Sequence, residues 1–371
     1  MKRGLMQDNP KKIRVLVVDD SAVMRKLISN LLARDKSIEV IATAIDGDFA
    51  INKVDQLKPD VVTLDVDMPR MDGMTALKHL VSNHQIPVVM LSSLTTHGAA
   101  LTMEALEIGA VDFVYKPKSY LNVGEMAEEL ILKVKAAARG VIPVKPRQRD
   151  LRQPRIQRKR VFGANEKCAQ KIIAIGSSSG GPNALRYMLP KIPADIDAGI
   201  LIVQHMMDSF TASFAKWLNE ICELEVKEAI NGDLILPGRV LIAPGNAHMK
   251  VTRLENGGVV LLERGRLVNG HMPSVDVLFK SVAEEYGANV TGVLMTGMGS
   301  DGANGLGEIK QAGGFTIAQD RESCVVYGMP RVAVEKGFVD FVAPLKEMAS
   351  HLITTIGQRG HREEVYVGNR R

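Results

Sequence analysis

The sequence predicts two α/β domains joined by a basic linker, each built on a parallel β-sheet with helices on its faces. Three observations carry this reading. The 371 residues are enough for about two domains of ordinary size. Short apolar strands alternate with helical patterns in two blocks, 13–138 and 170–356. Between the blocks, from 140 to about 168, the chain becomes rich in proline and arginine and loses apolar periodicity, as an extended linker does. The expected organisation is 11–130 for the first domain, 131–168 for the linker, 169–357 for the second domain and 358–371 for a loose polar tail.

In the first block "IRVLVV" (13–18) is a short apolar strand. "SAVMRKLISNLLARD" (21–35) places apolar residues at 23, 24, 27, 28, 31 and 32, one helical face. "IEVIATA", "DVVTLD", "PVVMLSS" and "GAVDFVYKP" read as four further strands, and a last helix runs from about Gly124 to Arg139. In the second block the candidate strands are "KIIAI" (171–175), "GILIVQ" (199–204), "RVLIAP" (239–244), "GVVLLE" (258–263), "VTGVLMTG" (290–297) and "GFTIAQ" (314–319). "SVDVLFKSVAEEY" (274–286) is a helix with Ser274 as its N-cap, and Gly287 stops it. No internal repeat appears.

Composition narrows the function classes. With 46% hydrophobic and 24% charged residues the chain reads as globular. No apolar run approaches the ~20 residues of a membrane span, so no membrane insertion is expected. The start, "MKRGLMQDNPKK", does not read as a signal peptide. Cys168, Cys222 and Cys324 form neither a metal pattern nor a disulfide framework, which fits a cytoplasmic location. The net charge is +5, but residues 145–160 alone hold eight Lys/Arg and one Asp. The rest of the chain is therefore at −2, and the basic character belongs to the linker. No nucleic-acid partner is expected, although a basic tether is the form one would take.

The first chemical constellation lies at strand ends. Asp19 and Asp20 close the first strand, Asp65 the third, Ser92 the fourth and Lys116 the fifth. In a parallel sheet these positions share the carboxyl edge, where ligands bind. Three carboxylates gathered there repel unless a cation sits among them, and hard oxygen ligands suit Mg2+. A carboxylate flanked by a metal, a lysine and a hydroxyl is equipped to accept a phosphoryl group. Taken singly, each aspartate also fits a helix cap or a loop start.

This stretch resembles the response-regulator receiver domain of two-component signalling. The resemblance implies a (βα)5, flavodoxin-like fold and phosphorylation of Asp65. It implies Mg2+ held by Asp19, Asp20, Asp65 and the backbone carbonyl of Asp67, with Ser92 and Lys116 on the phosphoryl group. Phe113 stands where that family keeps a switching aromatic.

The second constellation starts at "IIAIGSSSGGP" (172–182). "GSSSG" fits G-x-S-x-G, a nucleophile elbow with Ser178 at its centre, after a strand and before Pro182 at the start of a helix. A phosphate-cradling glycine loop and a plain turn fit the same letters. A nucleophile needs a base and an orienting acid. His205 follows "GILIVQ" and Asp301 lies in "TGMGSDGANG" after "VTGVLM", so Ser178, His205 and Asp301 all follow strands at one sheet edge. His248 and His271 compete as the base, and Asp208 and Asp320 as the acid. The order Ser…His…Asp differs from the Ser…Asp…His of α/β-hydrolases, so the expected fold is a separate hydrolase on a doubly wound, Rossmann-like parallel sheet.

"AIGSSSGG", "VQHM", "APGNAH", "PSVDVLF", "TGMGSDGA" and "CVVYGMP" together resemble the catalytic domain of the chemotaxis protein-glutamate methylesterase family. Receiver, linker and this domain match that family's architecture over roughly 11–350. The family often has Ala-Ser-Thr where this chain has Ser177-Ser178-Ser179. The resemblance implies Ser178 as nucleophile, His205 as base and acid, Asp301 as orienting acid, and an oxyanion hole at Met298, with the Ser179 amide a further candidate. It implies methyl-accepting chemoreceptors as substrate, deamidation of glutamines beside ester hydrolysis, a chemotaxis histidine kinase as phosphodonor, and no cofactor for the ester chemistry. Two other classes remain open on residues alone: a binding-only or nucleotide-binding α/β output domain, and a DNA-binding regulator, for which no helix-turn-helix pattern is seen.

Overall fold

The computed structural model describes residues 12–93, 95–116, 123–139, 167–254 and 257–368. Among them the side chains of 96, 97, 123, 125 and 359–368 are left aside. The chain divides into two compact units, one spanning most of residues 12–139 and the other 167–368. The greater part of the expected linker, 140–166, and the tail residues 369–371 lie outside the described residues.

Residues 12–139 form β1 (Ile13–Val18), α1 (Ala22–Leu32), β2 (Ile38–Ala44), α2 (Gly47–Leu57), β3 (Val61–Asp65), α3 (Gly73–His79), β4 (Val88–Ser92), α4 (Thr96–Ile108), β5 (Asp112–Tyr115) and α5 (Val123–Ala138). The five strands pair in parallel in the order β2-β1-β3-β4-β5, the flavodoxin-like order. Strands β3 and β4 are buried along their whole length, as expected for a parallel sheet covered on both faces. Ser21 caps α1, its hydroxyl accepting from Met24 N, and Asp46 and Asp72 cap α2 and α3 in the same way. Helix α5 runs past the boundary expected at 130, because Val134 and Ala137 still pack into the core with Val15, Ile28 and Leu31.

The second unit contains β6 (Ile172–Ser177), α6 (Gly181–Met188), β7 (Gly199–Gln204), α7 (Asp208–Ile221), β8 (Glu225–Glu228), β9 (Arg239–Ile242), β10 (His248–Leu254), β11 (Gly257–Glu263), α8 (Val275–Tyr286), β12 (Val290–Leu294), α9 (Ala303–Gln311), β13 (Phe315–Gln319), α10 (Met329–Glu335), β14 (Phe341–Ala343) and α11 (Leu345–Gly368). Seven strands form a parallel sheet in the order β14-β13-β12-β6-β7-β9-β8. The chain leaves β6 toward β7 on one side and returns through β12 on the other. The sheet is therefore doubly wound, with its switch point beside β6, where α/β sheets open a crevice.

Two expectations change here. "GVVLLE" does not join the parallel sheet: as β11 it pairs antiparallel with β10 in a separate hairpin. The segment from 358, expected as a loose tail, continues α11 as far as Gly368. No proline interrupts it, and extending a formed helix costs little compared with starting one.

Candidate active site and phosphorylation site

At the end of β6 the chain turns sharply into α6. Gly180 makes the turn with φ +79, a conformation L side chains avoid, and a Cβ there would lie 2.5 Å from Val325 Cβ. Pro182 then opens the helix. Ser177 is fully buried and donates its hydroxyl to Gln204 Oε1 at 2.7 Å. Ser178 is half-buried, and its backbone is fixed on both sides. Its N–H donates to Thr296 O (3.0 Å), and its carbonyl accepts from Gln204 Nε2 (2.9 Å) and Gly181 N (2.8 Å). The spaces beside the Cα atoms of Gly180 and Gly181 are filled by Val325 and Gln204, so no larger side chain fits at either position. Ser177 has committed its hydroxyl, whereas Ser178 sits at the half-buried position of the elbow with its backbone held at both the amide and the carbonyl.

His205 directly follows β7, its N–H donating to Ser177 O at 3.0 Å. That bond sets the histidine beside the elbow. Its side chain is only 7% exposed. Nε2 lies 2.9 Å from Asp301 Oδ2, while Nδ1 is buried with no partner among the described residues. A carboxylate only accepts, so the proton sits on Nε2 and Nδ1 keeps its lone pair.

Asp301 lies in the loop after β12 and is buried. Its Oδ2 accepts from Val275 N at 2.6 Å as well as from His205. Its Oδ1 accepts from Asn269 Nδ2 (2.7 Å), Ser274 Oγ (2.8 Å) and Asp276 N (3.3 Å). Ser274, Val275 and Asp276 form the N-terminus of α8, so a helix dipole also points at the carboxylate. Ser274 gives its own helix no side-chain cap and serves Asp301 instead. Burial alone would raise the Asp301 pKa. The hydrogen bond and charge of His205, with Asn269 and Val275, outweigh it and hold the acid well below the usual carboxylate range.

The competitors resolve differently. His248 is buried at the start of β10, its Nε2 donating to Arg266 O (3.0 Å) and its Nδ1 accepting from Ser274 N (3.2 Å). It bridges two backbone segments instead of facing solvent. The His271 ring stacks on His205 with centroids 3.8 Å apart and planes 13° from parallel. Asp208 is exposed at the start of α7, and Asp320 accepts from Ser323. Met298 follows Gly297, where a Cβ would lie 2.8 Å from Ser178 Cβ, so only glycine allows this close approach. Neither the Met298 nor the Ser179 amide donates to a backbone carbonyl among the described residues.

The other constellation gathers at the ends of β1, β3, β4 and β5. Asp19 and Asp65 are buried and Asp20 is exposed, and each offers an oxygen within 4.8 Å of the others. Lys116 Nζ lies 2.7 Å from Asp65 Oδ1 and 2.8 Å from Asp19 Oδ2. Burial pushes Asp65 up to about 6. Lys116 opposes this, and Asp19 adds repulsion. Burial would lower the Lys116 pKa, but Asp65 and Asp19 hold it above its ordinary value. Three close carboxylates without full compensation match the hard-oxygen donor set that Mg2+ takes. Ser92 is buried at the end of β4, and the Asp67 side chain is exposed on the following loop. Phe113 is buried, edge-on to Tyr115 at 5.3 Å.

Sequence reading brought Ser178, His205 and Asp301 to one edge but missed their supports: Gln204, Thr296, Ser274 and Asn269. The signal for the last was present, since Asn269-Gly270 is the commonest two-residue hairpin pair.

Comparison with known proteins covers both domains. The family described as CheB methylesterase matches residues 173–352, and the response regulator receiver domain matches 15–127. A protein-glutamate methylesterase/protein-glutamine glutaminase of Koribacter versatilis is 50% identical over 347 residues, covering 92% of this chain and 95% of that protein. Proteins of the same name from Syntrophotalea carbinolica and Sulfurimonas denitrificans are each 47% identical, each covering 94% of this chain and 99% of the relative. With both domains matched in order and the likeness running nearly end to end, the chain belongs to the protein-glutamate methylesterase/protein-glutamine glutaminase family, a receiver domain followed by a methylesterase domain.

Proposed function

We propose that this chain hydrolyses glutamate methyl esters, and deamidates glutamines, on methyl-accepting chemoreceptors under control of phosphorylation at Asp65, and so serves chemotactic adaptation. The observation that carries this is the state of His205: Nε2 committed to Asp301, Nδ1 bare and buried on the strand end next to Ser178. Nδ1 takes the Ser178 proton as Oγ attacks the ester carbonyl. The tetrahedral oxyanion is met by the amides of Met298 and Ser179, worth about 2.7–4 kcal/mol per donor. His205 gives the proton to the departing methoxide, or to the departing amide nitrogen of a glutamine, so that methanol or ammonia leaves and the glutamyl group stays as an ester on Ser178. It then activates a water that frees the glutamate and restores Ser178. Asp301 stays ionised throughout and holds the tautomer. No cofactor enters these steps.

In the receiver, Asp65 is the phosphoryl acceptor and a chemotaxis histidine kinase the donor. Asp19, Asp20, Asp65 and the Asp67 carbonyl would hold Mg2+, which when bound would supply positive charge beside the phosphoryl group. Lys116 and Ser92 contact the phosphoryl oxygens. Phosphorylation at Asp65 raises the esterase activity. The boundaries proposed are the receiver from 11 to the end of α5, a basic linker to 168, and the methylesterase domain from 169. A cytoplasmic location fits the three buried free thiols, and no helix among the described residues is long and apolar enough to cross a membrane.

The test is methanol release from methylated receptor membranes. Ser178→Ala should abolish it while Asp65 still takes phosphate from a small phosphodonor. Substantial residual release would overturn the assignment of Ser178.

A further inference from the structure

We propose that the Val268–His271 turn is a clamp on the His205–Asp301 pair, with His271 the positioning residue for His205 and Asn269 for Asp301. Val268 and His271 exchange both backbone hydrogen bonds (3.0 and 2.9 Å) around Asn269 and Gly270, whose φ values are +53 and +80. This is the tight two-residue hairpin with both central residues left-handed, among the stiffest links a chain can make. Its flanks are tied down as well. His248 accepts from Ser274 N after the turn and donates to Arg266 O before it.

Two side chains leave this turn for the same target. Asn269 spends both donors of its amide on carboxylates, Asp301 Oδ1 and Asp276 Oδ2, each at 2.7 Å. The His271 ring lies flat on His205. Among the described residues the His205 side chain makes one hydrogen bond, Nε2 to Asp301, and one bond leaves the ring free to roll about that axis. A flat neighbour at 3.8 Å removes the freedom and keeps Nδ1 aimed in one direction. Burial, reinforced by the His205 charge, lowers the His271 pKa to about 4, so the covering ring is neutral when His205 takes up a proton. A neutral aromatic face beside a developing imidazolium is attractive, where a second cation would oppose it. His271 thus acts on His205 and touches no reacting atom.

The kinetic arm of the test rests on the esterase reading, while the spectroscopic arm does not. In the full chain, His271→Ala and the bulkier but non-planar His271→Leu should each lower kcat about 10- to 100-fold with KM within about twofold, the size of effect a misaimed group produces. His271→Phe restores a flat face and should stay within about threefold of the parent kcat. In 15N spectra of the imidazoles, His205 should be the Nε2–H tautomer alone in the parent and in the Phe variant, and a mixture in the Leu variant. The clamp is overturned if Leu matches the parent in kcat and tautomer, or if Phe falls as far as Leu. If the parent releases no methanol, the esterase reading fails, and the tautomer comparison still decides the clamp.

Discussion

Two buried aspartates at the carboxyl ends of parallel strands meet opposite fates in this chain. Asp65 is pushed up to about 6, while Asp301 is held well below the usual carboxylate range. Burial acts on both in the same direction. The difference is what surrounds them. Asp301 receives two α8 amides, a hydroxyl, a carboxamide and an imidazole. Asp65 has Lys116, shared with Asp19, and the amide of Val66, and it faces a second carboxylate. A carboxylate that must remain a spectator ion is surrounded by donors until protonation is unfavourable. On the proposed roles, the one that would bond a phosphoryl group and a cation is left short of partners, which those ligands would supply. The same edge of the same kind of sheet is tuned in opposite senses by donor count.

The comparison can be broken where it is strongest. Asp301→Asn keeps the shape but supplies an amide to His205 Nε2 in place of an acceptor. Esterase turnover should fall about 10^4-fold, read as methanol release, because the wrong tautomer is favoured. A loss under tenfold would mean Asp301 is not a spectator ion that sets the tautomer. On the other side, Asp65→Asn should remove all stimulation by a small phosphodonor, while Ser178 still reacts with a fluorophosphonate probe. Loss of that labelling would show Asp65 acting through stability instead of phosphorylation.

A finer cut removes one donor of several. Ser274→Ala deletes a hydroxyl bond to the Asp301 carboxylate, and such bonds contribute about 1.5–3 kcal/mol. Turnover should drop about 10-fold with the fold intact, checked by kcat beside a thermal melt. An unchanged kcat would make the Ser274 bond redundant.

The smallest effect is on acid stability. His271 binds its proton near pH 4 when folded and near 6.5 when unfolded. The unfolded chain therefore binds more protons between these values, and stability is lost as pH falls from 6.5 to 4. Melts over that window should show His271→Phe losing less than the parent. Equal losses would place the acid sensitivity in other groups.

How much of this was legible in the letters depends on distance along the chain. Strand ends are local signals. Asp19, Asp65, Lys116, Ser178 and His205 each sit where an apolar run stops, and the parallel topology collects them. The donors to Asp301 are not local. They come from the start of α8 and the turn before it, upstream of Asp301 by a helix and a strand. No periodicity links those segments. The short strands β8 and β14 are absent from the candidate strands, and so is β10, whose polar alternation (His248, Lys250, Thr252) hides a hairpin packed against α8. Ser274 was read as the cap of α8. Its position was right, but the α8 amides of Val275 and Asp276 donate to the Asp301 carboxylate, a stronger acceptor than a hydroxyl, and the Ser274 hydroxyl donates to the same acid.

The order of strands has a consequence for how this molecule comes into being. Ser178 and His205 stand at the ends of neighbouring strands made early in the second unit, but β12, which completes the far side of β6, is made only after the β10–β11 hairpin and α8. Until β12 docks, Thr296 cannot hold the Ser178 amide and Asp301 cannot reach His205. A nascent or truncated chain that stops after β9 therefore carries a serine and a histidine with nothing to arm them. On the roles proposed for these residues, sheet completion and chemical competence are the same event, and an unfinished chain should be silent toward bystander esters.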